Sequence, residues 1–246
     1  MGIQSAIISH CANEASLFLP KGVDSQESFD AILDVFLPGS ELSPQKDAIR
    51  QQYDCEKTFE GNFTKCIGEI IQDLSFTCNT RNLFDSYPSI SYMMQYAFPF
   101  PNLAVHASDL IPLFMNNQDE AVKLLELSGI TGFLAQVYAS MIIQVSSRYQ
   151  NYLASFALTG DPNALPWIPS FDWPVADGSG DKLSNVLTVR AALGQSPFVL
   201  DSDDQNSKSK CGFWTDIAES IAVNADRTSG NQKVLSQQAQ NHWMDL

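Results

Sequence analysis

GIQSAIISHCANEASLFLP, residues 2–20, is the stretch on which the reading turns. Its first part, residues 2–9, is apolar and β-branched, with no helical stripe, and reads as a buried strand. A polar loop follows and carries Glu14. Sites in open α/β sheets are built at the carboxyl ends of strands, so Glu14 stands where chemistry is expected.

Working outward, residues 89–98 place Ile90, Tyr92, Met94, Tyr96 and Phe98 two apart, the period of a strand. Pro99-Phe100-Pro101-Asn102 then turns the chain toward His106, in NLAVHASDL. Between these strands the pattern is helical. Asp24, with Glu27 three residues on, reads as a capping box. Phe29, Ile32, Leu33 and Phe36 form a stripe behind it, and Pro38-Gly39 ends it. Residues 43–52 and 62–84 read as two further helices. Residues 131–158 read as a long one, with Phe133, Leu134, Val137, Tyr138, Met141, Ile142 and Val145 as its core face. A short strand is expected at 183–190 and a last helix at 211–223. The predicted organisation is one domain over residues 1–225 and a polar, flexible tail over 226–246. Alternating strands and helices give an α/β fold.

Composition narrows the function. The 246 residues are 44% hydrophobic and 17% charged, enough apolar material for a large core. Twenty-eight acidic against 14 basic residues give a net charge of −14. No Lys/Arg cluster is present, which argues against nucleic acid as a partner. No apolar run reaches the length of a membrane span, and the N-terminus lacks the basic region of a signal peptide. Cys11, Cys55, Cys66, Cys78 and Cys211 are odd in number and leave their pairing open. There is no C-x-x-C, and the spacing of His10, Cys11 and His106 matches no metal site, so no metal or other cofactor is expected.

Glu14 and His106 are the catalytic candidates. A carboxylate fixes the tautomer of an imidazole and stabilises its protonated form, which makes the pair an acid and a general base. Acid before base is the second half of the Ser, Asp/Glu, His order of an α/β-hydrolase. The first half is missing: GQSPF, 194–198, is the nearest approach to G-x-S-x-G and lacks its second glycine. No glycine run for an oxyanion hole is present either. Cys11 has nothing beside it to lower its pKa.

Five stretches, in order, resemble the type B carboxylesterase/lipase family, the cholinesterase-like α/β-hydrolases. ANEASLF, 12–18, is similar to the acid loop, with Ala15 where the family has Gly. IQDLSFTCNTRNL, 71–83, is similar to the segment that leads to a half-cystine. YAFPFPNLAVHASDLIPLF, 96–114, resembles the strand and loop that carry the base, with Ala107 in place of Gly. RYQNYLASFALTGDPN, 148–163, resembles a family helix and its turn, and CGFW, 211–214, a late Cys-aromatic-Trp motif.

The resemblance implies the C-terminal part of an α/β-hydrolase fold, an incomplete, mostly parallel sheet with many flanking helices. It implies ester hydrolysis with Glu14 as acid and His106 as base, on a small-molecule or lipid ester. The serine and oxyanion hole belong to the half of the family fold missing from this chain, which alone is expected to be inactive; a separate N-terminal half is one candidate partner. It also implies bridges Cys78–Cys211 and Cys55–Cys66, with Cys11 free. Those bridges and the sequon at Asn62 point to an extracellular glycoprotein for the parent family. Phe98, Phe100 and Phe114 are candidates for a pocket wall near His106, with plain core packing the commoner role for such residues. The alternative reading is a non-catalytic cholinesterase-like interaction module, or one half of a split enzyme.

Overall fold

The structure, a computed structural model, describes residues 3–127, 129–165, 172–191 and 196–223. The tail expected over 226–246, residues 166–169 of the turn-rich loop, and the first part of GQSPF lie outside the described residues.

Two compact units are present, one of Met1–Leu19 with Gly68–Cys211 and one of Pro20–Ile67 with Gly212–Leu246. The first contains a four-stranded mixed sheet. Strands β1 (Ala6–Cys11), β2 (Ser91–Tyr96), β3 (Leu183–Val189) and β4 (Phe198–Asp203) lie in that order. The first three are parallel and β4 runs antiparallel to β3. Strand β1 starts and ends later than the apolar run suggested, because His10 and Cys11 continue the pairing, opposite Gln95 and Tyr96.

Both faces of this sheet are covered. Met94, Tyr96, Leu187 and Val189 enter one apolar cluster, with Ile142, Val145, Tyr149 and Tyr152. Met93 and Val186 enter a second, with Ile8, Phe84 and Leu183. The period-2 pattern of 89–98 therefore recorded only one of two buried faces, as is usual for an internal strand. A bulge between Leu183 and Val186 breaks the β3–β4 register. It places Asn185 at φ 60°, a conformation that Asn tolerates.

Helices of the first unit include α4 (Cys78–Ser86), α5 (Leu110–Phe114), α6 (Gln118–Leu127) and α7 (Gly132–Thr159); α1–α3 are given below in chain order. The inward face of α7 is Ala135, Ala139, Ile142, Val145, Tyr149 and Tyr152. Phe133, expected in the core, is 80% exposed, and Leu134 is exposed as well. The small side chains Ala135 and Ala139 are fully buried, and they let the backbone of this helix lie close to its neighbours. At its end Gly160 takes φ 80° and its N–H bonds Phe156 O at 2.7 Å, a left-handed helix stop.

The second unit contains α1 (Gln26–Phe36) and α2 (Ser43–Gln52); α3 (Phe63–Gln72) begins in it. The cap of α1 is Ser25 with Ser28, one residue later than the expected Asp24 and Glu27. Each serine Oγ accepts the other's backbone N–H, so no acidic residue is needed there. Phe29, Leu33, Ile49, Tyr53, Phe63 and Trp214 are buried in this unit, and Trp214 Nε1 donates to the Tyr53 hydroxyl at 2.8 Å. The last helix spans 208–223. Bridges Cys55–Cys66 and Cys78–Cys211 are formed, and Cys11 is free and buried.

Candidate active site

Glu14 and His106 come together at the carboxyl ends of β1 and β2. Backbone bonds zip the two exits. Ala12 N–H donates to Tyr96 O at 2.8 Å and Asn13 N–H to Ala104 O at 2.9 Å, and the Asn13 side-chain amide holds Asn102 O at 2.8 Å. The chain then tightens into a short 3-10 turn, Glu14–Phe18, which points the Glu14 side chain back over the end of β1. Glu14 is buried, and both its oxygens are used. Oε1 accepts the Cys11 N–H at 2.6 Å, and Oε2 faces His106 Nδ1 at 2.6 Å.

This geometry decides the imidazole's chemistry. A proton on Nδ1 donates to the carboxylate, so Nε2 carries the lone pair of a base. The His106 side chain is 45% exposed, while its partner carboxylate is sunk into the protein. Past His106 the chain reverses: Ser108 N–H bonds Val105 O at 3.0 Å, and Ala107 takes φ 64°. That backbone conformation favours glycine, the residue Ala107 replaces.

Two rings flank the imidazole, those of Phe18 and Phe76, with centroids 5.4 and 5.1 Å away. They are not the phenylalanines expected from the sequence. Phe98 is buried in the core beside Tyr96. Phe100 and Phe114 are exposed, and no ring stacking on His106 involves any of the three among the described residues. Phe76 is presented by a π-helical turn, Asp73–Thr77, that links α3 to α4. The Thr77 hydroxyl donates back to Gln72 O at 3.2 Å and to Asp73 Oδ1 at 3.3 Å, and Lys210 Nζ reaches Asp73 Oδ1 at 3.2 Å. These side-chain bonds satisfy groups that the widened turn exposes. The one sequence cue to both rings was proximity: Phe18 lies one turn past Glu14, and Phe76 lies just before Cys78.

Cys11 is poorly placed to serve as a nucleophile. Burial, then the nearby charges of Asp109 and Glu14, push its thiol up to about 12. His10 does not join His106. Its ring lies against Asp203, with Nε2 and Oδ2 2.6 Å apart.

The chain is 32% identical over 221 residues to a secreted lipase of Arthroderma benhamiae, matching 86% of this chain and 37% of the lipase. The kinship rests on that match. It supports a type B carboxylesterase/lipase-like family for the chain. The chain is also 26% identical over 172 residues to carboxylesterase patB of Penicillium expansum, matching 67% of this chain and 27% of that protein. Among solved structures, a PNB esterase superposes with a TM-score of 0.50 at 19% identity, covering 85% of this chain and 37% of the esterase. That likeness concerns the fold, and the mixed, open sheet with its helices is part of an α/β-hydrolase fold. No family model matches the chain. The chain thus spans little more than a third of the lipase's length.

Proposed function

We propose that this chain supplies the acid and the base of a carboxylic ester hydrolase that works by a Ser–Glu–His mechanism. The observation that carries the reading is the 2.6 Å contact between buried Glu14 Oε2 and His106 Nδ1. With Nδ1–H held, Nε2 accepts the proton of a serine hydroxyl as that oxygen attacks the ester carbonyl. The imidazolium that forms is stabilised by Glu14. Its Nε2–H then protonates the departing alkoxide, and a water molecule, deprotonated by the same nitrogen, releases the acid.

The serine comes from outside these 246 residues, since the chain has no G-x-S-x-G. The chain by itself is therefore inactive as an esterase. The apolar faces of Phe18 and Phe76 beside the base suit an ester with an apolar part, which agrees with relatives named as a lipase and a carboxylesterase. Secretion fits two disulfides and a relative named as secreted. Asn62 is an exposed site for a glycan. Its Oδ1 accepts the Lys65 N–H at 2.9 Å, which leaves the amide nitrogen for the sugar.

The test joins this chain to a family N-terminal half that bears the serine and follows p-nitrophenyl ester hydrolysis. Removing the base should lower turnover about 10³-fold or more. A joined protein indifferent to His106→Ala, or residues 1–246 alone turning over esters in a His106-dependent way, refutes the proposal.

A further inference from the structure

A second, fully buried polar cluster lies behind the acid loop, and the mechanism above makes no use of it. His10 of β1 and Asp203 at the end of β4 meet at 2.6 Å, both nearly inaccessible to solvent. His10 Nδ1 lies 3.2 Å from Cys11 O. Nδ1 thus faces an acceptor, while Nε2 faces the Asp203 carboxylate and, at 3.0 Å, the Asn206 amide nitrogen. Asp203 is held in turn by the Asn206 amide on Oδ2, by the Gln205 N–H at 3.0 Å and by Gln95 Nε2 at 3.3 Å on Oδ1. Asn206 is tied to α4 through Thr80 at 2.9 Å and Arg81 at 2.8 Å. Gln205 Nε2 donates to Ala12 O at 2.9 Å.

Three successive peptide groups of the acid loop are therefore engaged. The Cys11 N–H holds Glu14 Oε1, the Cys11 carbonyl faces His10, and the Ala12 carbonyl faces Gln205. Two of the three are gripped by the turn after β4, almost 200 residues away in the chain, with His10 as the intermediate for one.

We infer that His10 and Gln205 are positioning residues for the acid: they clamp the Cys11 and Ala12 carbonyls, and so fix the Cys11 N–H that aims Glu14 at His106. This rests on reading Glu14 and His106 as acid and base. A buried ion pair is expensive as a source of stability, and its best-attested use is to fix one arrangement of the groups around it. The charged and titratable groups facing His10 are Asp203 and, at longer range, Glu14. Burial lowers the pKa of His10, but the Asp203 charge and bond outweigh it, so the pKa is raised overall.

The test reads His106 itself, by the NMR signal of its Nδ1 proton in the whole 246-residue chain. Glu14→Gln should abolish that signal or move it strongly upfield, because the carboxylate that holds the proton is gone. Gln205→Ala, which removes the bond to Ala12 O and the bond accepted from Gln95 Nε2, should move it upfield and speed its exchange with water severalfold, with amide dispersion unchanged. Asp203→Asn should do the same, and where that variant fails to fold, Gln205→Ala decides. Loss of the signal in Glu14→Gln with no change in Gln205→Ala overturns the positioning role and leaves the acid–base pair standing. An Nδ1 signal indifferent to Glu14→Gln overturns the pair, and the inference with it.

Discussion

Ala107→Gly is expected to stabilise the chain, although glycine usually does the reverse. Ala107 follows the proposed base and takes φ 64°, where an L-residue with a Cβ is strained by about 1–2 kcal/mol. Glycine relieves that strain and returns about 0.5–1 kcal/mol through the greater freedom of the unfolded chain. Ala107 is exposed, so its methyl group leaves no cavity. The net gain is about 0.5–1 kcal/mol, or roughly 2–3 °C in Tm for a chain of this length. The control is Ala139→Gly, in the interior of α7, where the alanine is fully buried and helical. That change should cost about 1 kcal/mol in helix propensity alone, plus the lost packing. Urea unfolding followed by circular dichroism measures both, with an unchanged m-value required for the comparison. An Ala107→Gly variant less stable than wild type, moving in the same direction as Ala139→Gly, refutes the strain argument.

Three further outcomes follow from the structure. His10 has a raised folded pKa, so its contribution is complete below its ordinary 6.5 and fades as pH rises through the folded value; Asp203 has a lowered one, so its contribution is complete above its ordinary 3.8 and fades as pH falls through the folded value. The stability difference between wild type and Asp203→Asn should therefore be largest from about pH 4 to 6.5 and shrink on both sides, and a pH-independent difference in urea midpoints contradicts the ion pair. Opening Cys78–Cys211, which spans 133 residues, should destabilise by about 5 kcal/mol, against about 3 for Cys55–Cys66, which spans 11; serine variants compared by urea midpoint test the order. Cys11, buried and with its thiol pushed up to about 12, should resist alkylation by iodoacetamide at pH 8 and react only in denaturant; rapid labelling of the native protein contradicts its placement.

Parts of this molecule were readable in the sequence because they depend on local pattern. The helices at 43–52 and 132–159 and the strands ending before Glu14 and His106 follow from periodicity, and the order of acid and base marked the candidate pair. Other parts depend on partners far away in the chain. The strand β4, FVLDSD, has no counterpart among the elements expected from the sequence; its pairing with β3 and the burial of Asp203 against His10 make it structure. On the inward face of α7, Ile142 and Val145 are buried as expected, but at its start large apolar residues suggested a core where close packing selected Ala135 and Ala139 over Phe133 and Leu134. Phe76 reaches His106 through a π-helical turn that a 3.6-residue period does not describe.

The central claim is that Glu14 holds the Nδ1 proton of His106, and the proton resonance of that nitrogen reports it most directly. The account predicts a far-downfield, slowly exchanging His106 Nδ1 signal in the wild-type chain that is lost or moves strongly upfield in Glu14→Gln. A wild-type spectrum without that signal, or one in which Glu14→Gln leaves it in place, would contradict the account.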